Sequence, residues 1–304
     1  MERDMEVICS GLNVVDLLVS SPETIAFGQK NECEKIIIQG GAPAGNAACG
    51  LAALGHDTAF LGYLGENTLS EIAKAELLRH GVKPTLFKEK KEATPAIAIV
   101  QINSEGERTV LYSMNGYAPF QPEDLDESAI KNCKLILVDG YDAVINTHLL
   151  KLAKKYGIAT VLDLEKADEA VMKEMVSLTS HAILPLETAQ ALSGKTSIED
   201  CVEAIAQFTN AQVVVTDGSN GSFAMDNGKL VHQPSFKVEV VDTTGCGDSF
   251  HAAYASALLQ GMDLPQRMEY ASFFAAQVAT VFGGRTHFPS REFMEKHLHS
   301  EVMS

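Results

Sequence analysis

From residue 133 onward, short apolar runs alternate with longer stretches in which apolar positions recur at helical spacing. The runs 135–138, 159–162, 182–184 and 213–216 are apolar almost throughout. Continuous runs of that length belong to strands covered on both faces. The segments near 146–156, 168–177 and 197–209, which lie between them, predict helices. This alternation predicts an α/β fold: a doubly wound, mostly parallel sheet with helices on both faces.

The N-terminal half has a second style. Val7-Ile8-Cys9, ahead of Gly11, reads as a buried first strand, and 43–54 as an Ala-rich helix closed by Gly55. A short strand follows at 58–61, then a helix over 70–80 closed by Gly81. Residues 14–39 carry apolar pairs broken by Ser20-Ser21-Pro22, then a return run, Ile36-Ile37-Ile38, that ends at Gly40-Gly41. Ala96-Ile97-Ala98-Ile99-Val100 and Thr109-Val110-Leu111-Tyr112 flank Asn103-Ser104-Glu105-Gly106, a hairpin turn. The two excursions, about 17–39 and 95–114, predict a small β-sheet lid on a single domain spanning 1–304.

Composition narrows the setting. With 304 residues, 46% apolar and 21% charged, the chain has room for one large core. No apolar stretch nears the ~20 residues of a membrane span. The charged opening Met1-Glu2-Arg3-Asp4 is unlike a signal peptide, and six cysteines without a C-x-x-C pair fit a reducing cytoplasm. A net charge of −16 argues against nucleic-acid or acidic-membrane partners. An anionic substrate must then be held by focused local groups: helix N-termini, a few Lys or Arg, and a metal ion. The nine histidines show no metal-ligand spacing.

Asp242-Thr243-Thr244-Gly245-Cys246-Gly247-Asp248 carries the most chemistry. Gly245 and Gly247 allow a tight turn and bring bare N–H groups close to a ligand. Phe250, Ala253, Tyr254, Ala257 and Leu258 then recur at helical spacing as far as Gly261, so a helix starts at about Gly247. Its free amides and positive dipole end face an anion. A carboxylate at Asp248 would repel phosphate there, unless it takes a hydroxyl proton while the amides hold the phosphoryl charge. That arrangement is phosphoryl transfer to an alcohol. Other glycine clusters fail as phosphate loops. Gly194-Lys195-Thr196 has Ala189 where the upstream glycine belongs, and neither Gly40-Gly41 nor Gly245-Cys246-Gly247 completes G-x-G-x-x-G.

The two glycine segments, about 200 residues apart, make the chain resemble the ribokinase-like (phosphofructokinase-B) family of sugar kinases over nearly its whole length. Gly40-Gly41-Ala42-Pro43-Ala44-Gly45-Asn46-Ala47-Ala48 is similar to that family's N-terminal signature, and 242–248 to its C-terminal D-T-x-G-A-G-D. The resemblance implies Asp248 as the catalytic base and the amides of Gly245, Cys246 and Gly247 as an anion hole. It implies that Asn13, Asp16, Gly40, Gly41 and Asn46 contact a sugar, and that Thr216, Gly218, Gly221, Thr243 and Gly284 approach a nucleotide. Asp242 and Thr244 match the monovalent-cation (K⁺) site of some members.

Two departures from the family pattern matter. Cys246 stands where Ala is usual, and a thiol at a helix N-terminus predicts sensitivity to alkylation. The Asn-x-x-Glu that organises magnesium and phosphate in many members reads Leu186 and Ala189 here, which leaves Glu187, or water, to take over part of the role. Arg108 reads as a solvated strand charge rather than an anion ligand, and His251 as packing.

The resemblance implies an ATP- and Mg²⁺-dependent kinase acting on a primary hydroxyl of a small sugar. Gly-Gly-Ala-Pro-Ala and the run from His232-Gln233-Pro234 to His251 favour a ketohexose such as fructose, with ribose second. The alternatives are a nucleoside kinase of the same fold and a non-catalytic sugar or nucleotide sensor. Pairing of lids between subunits, common in the family, implies a homodimer.

Overall fold

The computed structural model describes residues 5–22, 25–165 and 167–298; the charged opening 1–4 lies outside them. Its strands are β1 (Val7–Ser10), β2 (Val14–Ser20), β3 (Ile36–Gly41), β4 (Thr58–Leu64), β5 (Phe87–Glu89), β6 (Ala96–Ile102) and β7 (Arg108–Ser113). They continue with β8 (Leu135–Val138), β9 (Ala159–Asp163), β10 (His181–Pro185), β11 (Gln212–Thr216), β12 (Ser222–Asp226) and β13 (Lys229–Gln233). The larger sheet has nine strands in the order β13-β12-β11-β10-β9-β8-β1-β4-β5, parallel except where β12 and β13 join. The chain builds outward from β1 on one side through β4 and β5, and on the other from β8. The order therefore reverses at β1, the place where open α/β sheets put their ligands.

Alternation within β1 shows why both faces are covered. Val7 and Cys9 enter one apolar core, and Ile8 enters the other. The helices Pro43–Ala53, Cys246–Leu259 and Leu264–Val278 close the first core with residues such as Ala47, Ala253 and Phe274. The helices Ala143–Tyr156, Glu169–Leu178, Leu186–Ser193 and Ile198–Ala206 close the second with Leu149, Met175, Leu192 and Ile205. Small residues on the first face permit close approach. A Cβ on Gly50 would stand 2.9 Å from that of Ala252. Helix Pro43–Ala53 thus lies almost backbone to backbone on helix Cys246–Leu259, which brings the two glycine segments together.

The smaller sheet has the order β3-β2-β6-β7. Its register sets Gln39, Asp16, Ala98 and Tyr112 in one row on one face, and Ile38, Leu17, Ile99 and Leu111 in the next row on the other. Leu12, Val14, Leu18, Ala96, Val100 and Ile102 give it a small core of its own. The strands extend the excursions read from sequence at one end: β2 begins at Val14, and β3 runs through Gly40 and Gly41. The antiparallel edge β12–β13 has no counterpart in the sequence reading, because it interrupts the strand–helix alternation.

Candidate active site

Gly245 is the N-cap of helix Cys246–Leu259 and sits at φ 75°, the left-handed region that favours glycine. A Cβ there would also stand 3.0 Å from the Cα of Gly284. Gly247 meets nothing within 4 Å, so its missing side chain leaves the helix end open to approach. The Ser249 amide donates to Gly245 O at 2.8 Å and closes the first turn, while the Gly245 and Gly247 amides donate to no group among the described residues. The Cys246 amide departs from expectation: it turns back to Thr243 O at 3.3 Å. The amides left free at this helix end are therefore those of Gly245 and Gly247. Asp242 holds the loop in place, with Oδ1 accepting from the Thr244 amide and Oδ2 from the Gly283 amide, both at 2.8 Å. The Thr244 hydroxyl is buried without a partner.

Asp248 lies half-buried in the first turn, and Asn46 Nδ2 donates to its Oδ2 at 2.6 Å. Asn46 comes from the opposite helix, so the closely packed pair joins the two motifs at the carboxylate itself. The side chain behind Asn46 is one that sequence reading missed. Arg285 Nε donates to Asn46 Oδ1 at 2.6 Å and Arg285 Nη2 donates to Gly41 O at 2.6 Å. A Cβ on Gly40 or Gly45 would overlap its guanidinium. The N-terminal glycines are thus spaced by an arginine from the far end of the chain.

Two polar groups on this side have no hydrogen-bond partner among the described residues. Asn13 Nδ2 is buried and unbonded. Asp16 is 8% exposed and accepts no hydrogen bond from the described residues. Burial raises its carboxyl to about 6, with Arg285 pulling it down and the Asp248 charge adding to the rise. A side chain at Gly41 would overlap that carboxylate. The loop carrying Asn13 is tied to the sheet by Asp139, which follows β8 and accepts from the amides of Leu12 at 3.0 Å, Ala44 at 3.3 Å and Tyr141 at 3.0 Å. Burial, then the Asp142 charge, lifts the Asp139 carboxyl to about 8.

The nucleotide-side residues do not all converge. Thr216 ends β11, and Gly218 and Gly221 frame the turn into β12, where a side chain on Gly221 would overlap Gln233 O. Gly284 packs on Thr244 and Gly245. Thr243, however, is engaged by the hairpin tip: its Oγ1 donates to Gly106 O at 3.1 Å, and Arg108 Nη1 donates to Thr243 O at 3.2 Å. Arg108 is therefore docked beside the anion hole, not a charge merely in solvent. Glu187 is exposed and makes no hydrogen bond or ion pair with the described residues. Glu165 stands nearer the chemistry. Tyr141 Oη donates to its Oε2 at 3.0 Å, and desolvation followed by the Asp248 charge raises its carboxyl. The alkylation expected at Cys246 is opposed by burial, which pushes the thiol up to about 12 despite the nearby Arg108. His251 packs as read, its ring nitrogens against Gly247 O at 2.7 Å and Ile183 O at 3.2 Å. A cavity of about 600 Å³ opens elsewhere, against Met5, Lys83, Phe87 and Phe120, and contains none of these groups.

A reversing parallel sheet with a small second sheet, and a carboxylate set among bare helix amides, define a class: ribokinase-like phosphotransferases acting on a sugar hydroxyl. Within that class the chain belongs to the pfkB family of carbohydrate kinases, whose model matches residues 5–291. It is 25% identical to a deoxyribokinase from Salmonella typhi over 97% of this chain and 99% of that one. It is 26% identical to a 5-dehydro-2-deoxygluconokinase from Clostridium perfringens, over 86% and 84%. Its fold matches that of Arabidopsis thaliana ribokinase complexed with ribose and ATP, with a TM-score of 0.82 at 23% identity, over 97% and 98% of the two chains. The protein is thus a carbohydrate kinase.

Proposed function

We propose that the protein transfers the γ-phosphoryl group of ATP to the primary hydroxyl of a small sugar held by Asn13 and Asp16. The observation that carries this reading is a pair of buried polar groups, the Asn13 amide and the Asp16 carboxylate, that find no hydrogen-bond partner among the described residues and lie in the sheet crevice that also holds Asp248. Buried polar groups are otherwise paired, so an unpaired set of this kind belongs to a polyhydroxyl ligand. The relatives shift the order of acceptors. One is named for deoxyribose and another for a deoxy-keto-gluconate, and the structural neighbour carries ribose. A pentose or deoxypentose therefore comes ahead of the ketohexose that the sequence favoured.

Asp248 takes the proton as the hydroxyl oxygen attacks phosphorus in line, and the Gly245 and Gly247 amides hold the equatorial charge. A loose transition state asks for orientation more than for basicity. Bound with the nucleotide phosphates, Mg²⁺ supplies further charge neutralisation. Glu165, close enough to Asp248 to feel its charge, would face the water shell of that ion. For a monovalent cation, the residue that fits is Thr244, through its unpartnered hydroxyl. Docking of the hairpin tip on Thr243 makes the small sheet a lid over the cleft.

The outer row of that sheet, Leu17, Ile38, Ile99 and Leu111, is apolar, with Ile38 55% and Leu111 56% exposed. It forms the face for a second copy of the chain. ADP release measured with 2-deoxy-D-ribose, D-ribose, D-fructose and 5-dehydro-2-deoxy-D-gluconate tests the proposal. Sugar-dependent release is expected, greatest with one of the first two. Release that ignores every sugar would refute it.

A further inference from the structure

We propose that Arg285 is a positioning residue for the catalytic base: it locks the Asn46 amide so that Nδ2 is presented to Asp248. Arg285 is 1% exposed, so its guanidinium has no face open to a ligand. It forms no ion pair with a described carboxylate, so a stabilising salt bridge does not explain it either. Burying a cation with no direct ion pair is costly, and here the Asp16 charge offsets it only at a distance, so the hydrogen bonds of the guanidinium are what fix its place.

Those bonds converge on one side chain. Nε donates to Asn46 Oδ1 at 2.6 Å, which turns the amide nitrogen toward Asp248 Oδ2 at 2.6 Å. Rotated by half a turn, the amide would set its oxygen against a carboxylate oxygen and its hydrogens against a guanidinium, repulsive at both ends. Arg285 is itself fixed from three sides. Nη2 donates to Gly41 O at 2.6 Å, its backbone amide donates to Gln39 Oε1 at 2.8 Å, and glycines at 40 and 45 leave the space it occupies. The consequence is directional. Asp248 Oδ2 is tied to Asn46, and Oδ1 is left for the hydroxyl proton.

The kinetic arms of the test rest on the proposed function; the spectroscopic arm does not. In protein carrying isotope-labelled asparagine, the two Asn46 side-chain amide protons should resonate at displaced positions that are lost in Asp248→Ala. Arg285→Gln and Arg285→Lys should return them to the position of a free amide. On whichever sugar the native chain turns over, both variants should lose about 10- to 100-fold in kcat, the scale of a misplaced catalytic group, with KM for ATP within about twofold. Adding Asn46→Ala to Arg285→Gln should cost little more, because one chain of bonds is being cut twice. Rates are compared per folded molecule, and if Arg285→Gln does not fold, Arg285→Lys carries the same readouts. Unchanged Asn46 signals in the arginine variants, or losses that add in the double variant, would overturn the proposal. If the native chain phosphorylates no sugar, the proposed function falls while the amide signals still decide the positioning role.

Discussion

Asp16 is held at an energetic disadvantage before any sugar arrives. Its folded carboxyl lies near 6 against an ordinary 3.8, so the folded state binds a proton more tightly than the unfolded chain. The stabilisation this gives is fully present below about pH 4 and is lost as pH rises through 6. Above pH 6 the buried charge costs the fold about 3 kcal/mol. Asp16→Asn should therefore raise the melting temperature at pH 8 more than at pH 4, while sugar-dependent turnover falls at least tenfold. Equal melting shifts at both pH values would place the carboxylate in a less buried setting. Cys246 provides a second check at this scale. With its thiol near 12, iodoacetamide at pH 7.5 should leave activity intact over times that fully label an exposed cysteine. Rapid inactivation traced to Cys246 would contradict that environment. Asp248, Asp16 and the glycines were legible because each belongs to a short motif whose chemistry is local. Arg285 was not, since an arginine following two glycines reads as surface, and its burial appears only once residues 239 positions apart are packed together.

At the scale of elements, the legible parts were those with a strong period. The apolar runs of β8 to β11 and the Ala-rich helix Pro43–Ala53 declare themselves, because burial on both faces leaves no room for polar residues. Hairpin β6–β7 was read from its turn. What could not be read was where its tip goes. Arg108 lies on a strand exposed along its whole length, yet its guanidinium reaches Thr243 O beside the anion hole. Arg108→Ala should raise KM for ATP and lower kcat, together reducing kcat/KM by about tenfold, the loss of one charge-assisted contact. Initial rates at varied ATP measure this. Native values would return Arg108 to the role of a solvated charge. Nor was the end of helix Leu264–Val278 legible, because the amides of Val241 and Asp242 take up the Ala279 carbonyl from another part of the chain.

For the whole molecule, the order of elements along the chain was enough to give the fold class, since strand–helix alternation leaves few topologies open. The reversal at β1 then located the site without any ligand. Acceptor identity was not legible, because the groups that choose a sugar are single polar residues brought together from separate loops. The proposed dimer rests on the outer row of the small sheet. If that row is a subunit face, native protein should sediment as a dimer, and Leu111→Glu, which sets a charge at the exposed β7 end of the apolar row, should yield monomers with an unchanged fold. A native monomer would remove the face from the account. In the proposed function the unbonded polar groups of the crevice, the free amides of Gly245 and Gly247, and Asn46 all serve one event, a proton leaving a sugar hydroxyl for Asp248. Single-turnover transfer of labelled γ-phosphate from ATP to the accepted sugar, native against Asp248→Asn, measures that event directly. The account predicts that the Asn variant binds ATP normally and transfers label 10²- to 10⁴-fold more slowly, the range for loss of a general base. Transfer at the native rate would contradict it.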